Sequence, residues 1–179
     1  MVKRIVFSGS GGQGVITASI ILAEAAVIHD DLNAVQTQSY GPEARGGATR
    51  ADVIISEEPI HYPKVLNPHI LVCLTQKAYG KFSGIIRPGG LLLTDTKFVR
   101  VERKVDARQV ELDMYAAVME EIGNPIVFNI CMLGALIGLT DLIRPNSAME
   151  VVKSRISPDF LEMNEKAFGI GMRLADSGD

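Results

Sequence analysis

The stretch Val6-Phe7-Ser8-Gly9-Ser10-Gly11-Gly12-Gln13-Gly14-Val15 decides how the rest of the chain is organised. An apolar, β-branched run enters it, and a long apolar run from Val15 to Ile28, with Glu24 as its only charge, leaves it. This pattern predicts a buried strand, a tight turn and a buried helix. Gly9, Gly11 and Gly14 fit the spacing G-x-G-x-x-G in that context.

The N–H groups at the start of that helix, together with the helix dipole, predict an anion site, most often for a phosphate. Glycine suits the turn because a side chain would block the close approach of backbone to ligand. The candidate ligand-binding residues of the turn are Gly9, Ser10, Gly11, Gly12, Gln13 and Gly14. The alternative is that these glycines only let helix and strand pack closely.

A nicotinamide dinucleotide is a further candidate ligand for this turn, but the sequence lacks one acidic residue that usually binds it. Such folds place an acid at the end of the second strand, where it holds the ribose hydroxyls. The second strand is expected at Asn33 to Gln38, and the residues that follow include no Asp or Glu before Glu43. Asp30 and Asp31 precede that strand, so the missing acid counts against a dinucleotide.

Composition narrows the class of protein. The 179 residues, 47% of them hydrophobic, predict one globular domain spanning residues 1–179. A net charge of -3 without a basic tract argues against nucleic acid as a partner. The two cysteines, Cys73 and Cys131, lie in apolar runs and indicate a reduced, cytoplasmic protein. We expect no signal peptide and no membrane span, because Met1 leads directly into a strand and no apolar run is long enough.

A second unusual segment runs from Ser39 to Gly47, where Gly-Pro and Gly-Gly exclude regular structure. Loops at the carboxyl edge of a parallel sheet are common ligand sites. We therefore add four ligand-binding candidates: Tyr40, Arg45, Gly46 and Gly47. The alternative is an exposed turn in which Arg45 pairs with Glu43.

The remainder alternates strands and helices. Strands are expected at Ala51–Ser56, Ile70–Leu74 and Leu91–Thr94, with an edge strand at Phe98–Val101. Helices are expected after a Thr75 cap, at Leu112–Ile122 and Ile126–Leu139, after a Ser147-x-x-Glu150 capping box, and at Asp159–Leu174. This order predicts an α/β domain of three layers, with a mostly parallel, Rossmann-like sheet flanked by helices. Asp95, after the Leu91 strand, suits either a binding site or a turn.

The predicted helix from Ile126 is rich in small residues. Gly134 and Gly138 lie on one face and allow a very close helix contact, within the domain or with another subunit. Asn129 sits among apolar neighbours and must find a hydrogen-bond partner. The interface candidates are Pro42, Glu43, Asn129, Gly134 and Gly138. No residue is assigned a catalytic role, and the three histidines show no metal-ligand spacing.

Two motifs in order, the glycine turn at 9–14 and the Ser39–Gly47 segment, resemble the gamma subunit of 2-oxoacid:ferredoxin oxidoreductases. The same domain is fused inside single-chain pyruvate:ferredoxin oxidoreductase. The resemblance covers essentially the entire chain and includes Asn129 and the segment Leu133-Gly134-Ala135-Leu136. The form of Ser39–Gly47, followed by Ala51–Ser56, is most similar to the 2-oxoglutarate type.

The resemblance implies an accessory subunit of an enzyme that oxidatively decarboxylates a 2-oxoacid, with coenzyme A as acyl acceptor and ferredoxin as electron acceptor. The complex uses thiamine diphosphate, Mg and iron–sulfur clusters, which other subunits are expected to hold. Implied partners are alpha, beta and ferredoxin-like delta subunits, and we expect the isolated chain to form a homodimer. The alternative is a stand-alone dinucleotide- or coenzyme A-binding module with a structural role.

Overall fold

Strand β1 (Val2–Gly9) lies inside the sheet and carries the glycine turn at its end. A computed structural model describes residues 1–39, 48–102 and 104–177. The other strands are β2 (Asn33–Gln38), β3 (Thr49–Ser56), β4 (Ile70–Cys73), β5 (Gly90–Asp95) and β6 (Ala107–Leu112). Within the described ranges they form one six-stranded sheet in the order β2-β3-β1-β4-β5-β6.

The sheet is mostly parallel, as predicted, but β3 runs against both of its neighbours. Strands β1, β4, β5 and β6 pair in parallel, whereas β3 pairs antiparallel with β1 and with β2. A parallel pair needs a crossover of a dozen or more residues, usually a helix. Only residues 39–48 separate β2 from β3, so the chain turns back antiparallel. The alternation of strands and helices did not reveal this reversal.

Helices cover both faces of the sheet and give the predicted three layers. The helices are α1 (Val15–His29), α2 (Gln76–Phe82), α3 (Met114–Glu121), α4 (Phe128–Thr140), α5 (Pro145–Arg155) and α6 (Pro158–Ser177). The main core packs one sheet face against every helix except α2, which packs on the other face. Thr75 caps α2 as predicted, because its side chain accepts a hydrogen bond from the Ala78 N–H at 3.1 Å.

Two predicted elements near the sheet edge were wrong. Phe98–Val101 is not an edge strand: the N–H groups of Phe98 and Val99 both donate to the Asp95 carbonyl, which closes a turn. The edge strand is β6, and it takes Leu112 from the start of the helix that was predicted at Leu112–Ile122. Buried Val110 and Leu112 alternate in this strand with Gln109 and Glu111, which is the two-residue period of a β-strand.

The small residues of α4 make their close contact within the domain. Gly134 packs directly on the backbone of Phe168 in α6, and a Cβ on Gly138 would lie 2.7 Å from the Cβ of Ala175. Gly171 of α6 lies just as close to the backbone of α4. Of the two alternatives for Gly134 and Gly138, the structure shows the one inside the domain.

Candidate functional site

The glycine turn between β1 and α1 is braced by the side chain of Gln13. Its Oε1 accepts a hydrogen bond from the Ser10 N–H at 2.8 Å, and its Nε2 donates to the Leu74 carbonyl at 3.0 Å. A Cβ on Gly9 would lie 2.6 Å from Oε1 of Gln13, so this glycine makes room for the brace. Gln13 therefore fixes the shape of the turn and ties it to the end of β4.

Gly14 joins the turn to α4. It begins α1 with a φ of 73°, a left-handed conformation that favours glycine. A Cβ there would lie 2.6 Å from Nδ2 of Asn129, and that amide donates to the Gly14 carbonyl at 3.3 Å. Asn129, only 8% exposed, has found the hydrogen-bond partner that the sequence required. The close-packing explanation of the motif thus holds for Gly14.

Gly11 and Gly12 differ from Gly9 and Gly14, because their outer side is open. A Cβ on either would have no neighbour within 4 Å, and only Gly12 has a positive φ, of 88°. Helix α1 has no side-chain cap and no acid in its first turn. Its first N–H groups lack partners within the helix, and this end of the helix dipole favours an anion. The open side of the turn can therefore accept a negatively charged group.

The described residues on either side of the second motif lie at the same sheet edge as the glycine turn. Tyr40, Pro42, Glu43, Arg45, Gly46 and Gly47 lie outside the described residues. Gln38, just before the segment, pairs with Ala51, and Thr49, just after it, pairs with Gly9. Gln38 and Thr49, which flank the segment, therefore share one sheet edge with the turn.

An apolar groove that the sequence did not reveal lies beside the start of α1. It encloses about 210 Å³ and has almost no polar surface. Ile126 and Phe160 lie in its wall and are 71% and 53% exposed. Because α1, α4 and α6 each contribute to the lining, no single stretch of sequence carries its signal. The lining residues are Thr17, Ile126, Val127, Asn129, Ile130, Ile156, Phe160, Met163 and Asn164.

Asp95 is a turn acid that also serves the next helix. It accepts hydrogen bonds from the N–H groups of Lys97 at 3.0 Å and Tyr115 at 2.8 Å. Burial raises the pKa of Asp95, and these backbone donors oppose the rise. Asp113, which precedes α3, does not cap it, so Asp95 stabilises the start of α3 from the end of β5. Of the two alternatives for Asp95, the structure favours the turn.

Asp30 lies too far from the glycine turn to hold a ribose there. It follows the last residue of α1, and the 15 residues of that helix separate it from Gly14 by about 22 Å. Its carboxylate accepts hydrogen bonds from the Arg144 N–H and Nε, both at 2.8 Å, and from the Ser147 hydroxyl. Burial favours a raised pKa for Asp30, but these donors outweigh it and the pKa is lowered.

This contact also corrects the predicted capping box at Ser147 and Glu150. Ser147 lies inside α5, which begins at Pro145 after Arg144. Its hydroxyl bonds to Asp30 across the domain instead of capping its own helix. Pro145 occupies the first position of α5, where proline is common at the start of a helix. The hydroxyl of Ser147 instead connects α5 to Asp30 at the end of α1.

Both cysteines are buried thiols without a disulfide. Burial raises the pKa of Cys73 to about 12 and that of Cys131 to about 12. In the part of the chain that the structure describes, no three His, Cys, Asp or Glu side chains gather as a metal site. Among those same residues, no helix combines the length and the apolar character needed to cross a bilayer.

Comparison with known proteins gives consistent matches over nearly the whole chain. A family model described as pyruvate ferredoxin/flavodoxin oxidoreductase matches residues 4–174. The 2-oxoglutarate synthase subunit KorC of Methanocaldococcus jannaschii is 45% identical over 177 residues, which cover 98% of this chain and 95% of that protein. The pyruvate synthase subunit PorC of Methanothermobacter marburgensis is 33% identical over 169 residues, with 92% of each chain covered.

A solved structure is also similar. The gamma subunit of a keto/oxoacid ferredoxin oxidoreductase from Geobacter sulfurreducens superposes with a TM-score of 0.92 at 39% identity. The match covers 99% of this chain and 98% of the other. The reversal of β3, the glycine turn and the helix layers described above therefore belong to a fold that is known from crystallography.

Proposed function

The chain belongs to the pyruvate ferredoxin/flavodoxin oxidoreductase family, and from that premise we propose that it is the gamma subunit of a 2-oxoglutarate:ferredoxin oxidoreductase. The full-length match to a 2-oxoglutarate synthase subunit carries this proposal. Identity to that subunit is 45%, against 33% for the pyruvate synthase subunit, which favours 2-oxoglutarate over pyruvate. The form of the segment from Ser39 to Gly47 favours the same substrate.

We propose that this subunit leaves the redox chemistry to its partners. Iron–sulfur clusters are held by cysteine thiolates. Cys73 and Cys131 do not fit that role, because they are buried on separate elements and two thiols fall short of the four that such a cluster needs. Alpha, beta and ferredoxin-like delta subunits would hold the clusters and the thiamine diphosphate with its Mg, and ferredoxin would accept the electrons. Unpaired thiols are typical of a reducing compartment, so we place the complex in the cytoplasm.

The role of this chain in the reaction would be to help cover coenzyme A. An anionic group of coenzyme A, or a carboxylate of a partner subunit, would lie between Arg45 and the open side of Gly11 and Gly12. Three observations support this: the empty space at those two glycines, the uncapped start of α1, and the position of Gln38 and Thr49, which flank the Arg45 segment, at the same sheet edge.

Purification of the complex tests the assignment. An affinity tag on this chain is expected to bring down a thiamine-dependent pair of subunits, and the complex should reduce an acceptor faster with 2-oxoglutarate than with pyruvate. A complex that prefers pyruvate would contradict the substrate. A tagged chain that binds NAD and brings down no thiamine-dependent subunits would favour the stand-alone module.

The coenzyme A role has its own test in the assembled complex. We expect Arg45→Ala to raise the KM for coenzyme A roughly tenfold, since one charge-assisted hydrogen bond is lost. Decarboxylation of the oxoacid should persist. Arg4→Ala removes the same charge at the opposite edge of the sheet and should leave the KM unchanged. An unchanged KM in Arg45→Ala would leave the segment as an interface element.

A further inference from the structure

A second groove, distinct from the glycine turn, opens at the other end of the strands. It encloses about 370 Å³ where β1, β4, β5 and β6 begin, whereas the glycine turn follows the end of β1. This volume lies within the range of small-molecule sites. Its lining residues are Lys3, His69, Ile70, Arg87, Pro88, Gly89, Gly90, Leu91, Arg108, Leu139 and Thr140.

The charged side chains of this groove are all positive. Lys3, Arg87 and Arg108 line it, and no Asp or Glu is among its described lining residues. Within residues 1–39, 48–102 and 104–177, neither Lys3 nor Arg87 forms an ion pair. The groove is thus basic in a chain whose net charge is -3. Positive charges that share a groove repel each other, and a bound anion would relieve that repulsion.

The ring of His69 adds a second and independent indication. The Arg4 N–H donates to its Nδ1 at 3.1 Å, and Nη1 of Arg87 lies 2.6 Å from its Nε2. Burial and the charges of Arg87, Arg4 and Lys3 lower the pKa of His69, which favours the neutral ring. A neutral imidazole has one acceptor nitrogen and one N–H.

The contacts of His69 exceed what a neutral ring can accept. With a single acceptor nitrogen, the ring cannot accept from both the Arg4 N–H and Arg87, which offers only N–H donors. One donor beside the ring is therefore left without an acceptor. An anionic oxygen in the groove would accept from Arg87, and also from the Nε2–H in the tautomer whose Nδ1 accepts from the backbone.

We propose that this groove binds a small anion that carries phosphoryl groups. A phosphoryl group has three acceptor oxygens, which suits the Nε2–H of His69, the fork of Arg87 and the point charge of Lys3 together. The length of β1 separates this site from the turn proposed for coenzyme A.

Calorimetric titration of the full chain with inorganic pyrophosphate, and then with inorganic phosphate, tests the proposal. We expect pyrophosphate to bind, and Arg87→Gln to weaken it roughly tenfold through the loss of a charge-assisted hydrogen bond. Arg100→Gln is the matched control. Arg100 is exposed and follows the end of β5, at the opposite edge of the sheet from the groove, so the same loss of charge should change the affinity less than about twofold.

Three outcomes would overturn the proposal. Equal weakening by Arg87→Gln and Arg100→Gln would mean a general charge effect without a built site. Weakening by Gly11→Ala, with none by Arg87→Gln, would place the anion at the glycine turn. Binding of a glutamate-rich peptide, with no binding of pyrophosphate, would make the groove a contact for an acidic protein segment.

Discussion

At the scale of single residues, Gly14 and Gly11 separate the structural role of the glycine turn from its proposed ligand role. Gly14→Ala should lower the free energy of unfolding by about 2 kcal/mol or more, because it forces a left-handed alanine against Asn129. Gly11→Ala meets no neighbour and should change stability by less than about 0.5 kcal/mol. Urea unfolding followed by circular dichroism measures both.

The proposed ligand role predicts that Gly11→Ala affects binding although it leaves stability unchanged. In the assembled complex, Gly11→Ala should raise the KM for coenzyme A, because its methyl group enters the open space of the turn. A normal KM together with normal stability would show that Gly11 serves neither role. Destabilisation by Gly11→Ala as large as that by Gly14→Ala would contradict the geometry of the turn.

Asp30 predicts how stability depends on pH. Its folded pKa is lowered, so its contribution is present above the unfolded pKa of about 3.9 and lost as the pH falls through the folded value. At pH 7, Asp30→Asn should cost about 2 kcal/mol, because hydrogen bonds to a buried carboxylate are lost. The difference between the two proteins should shrink below about pH 4.

The adjacent Asp31 supplies the control for that measurement. Asp31 is exposed and has a φ of 54°, a conformation that asparagine also tolerates. Asp31→Asn should therefore change the urea midpoint little at any pH. A constant effect of Asp30→Asn between pH 7 and pH 3 would show that the carboxylate charge is not what Arg144 and Ser147 stabilise.

At the scale of secondary-structure elements, glycines on both helices let the backbones of α4 and α6 approach each other closely. Gly171→Ala should lower the free energy of unfolding by about 1–3 kcal/mol, because its methyl group would overlap the backbone of α4 at Cys131. Gly169→Ala, on the same helix, meets nothing and should stabilise by about 0.5–1 kcal/mol. Equal effects of the two substitutions would contradict the close contact.

The elements that the sequence predicted well carry their signals locally. The glycine turn, the cap at Thr75 and the bounds of β2 depend on neighbouring residues, and the structure confirms them. The reversal of β3, the bond from Ser147 to Asp30 and the contact of Asp95 with the Tyr115 N–H join residues far apart in sequence. Spacing along the chain does not contain such contacts, so those predictions were incomplete or wrong.

The candidate site divides in the same way. The motif spacing predicted the turn and its position at the sheet edge, and the structure shows which glycines pack and which are open. The apolar groove beside α1 and the basic groove at the opposite edge each draw on several elements, so the sequence revealed neither. The roles of Arg45 and the other residues between Tyr40 and Gly47 stay predictions.

At the scale of the whole molecule, a subunit built for a complex should associate with itself when its partners are absent. The exposed side chains of Ile126 and Phe160, in the wall of the apolar groove, provide an apolar surface through which two copies could associate. We expect the isolated chain to be a homodimer, measured by light scattering at increasing concentration. A monomer at the highest concentration reached would contradict this expectation.

The central claim is that this chain works only as part of a larger enzyme. The most direct test is 2-oxoglutarate-dependent reduction of ferredoxin in the presence of coenzyme A, assayed first with the purified chain and then after its partner subunits are added. The account predicts no turnover by the chain alone and full turnover after reassembly. Reduction of ferredoxin by the chain free of its partners would contradict it.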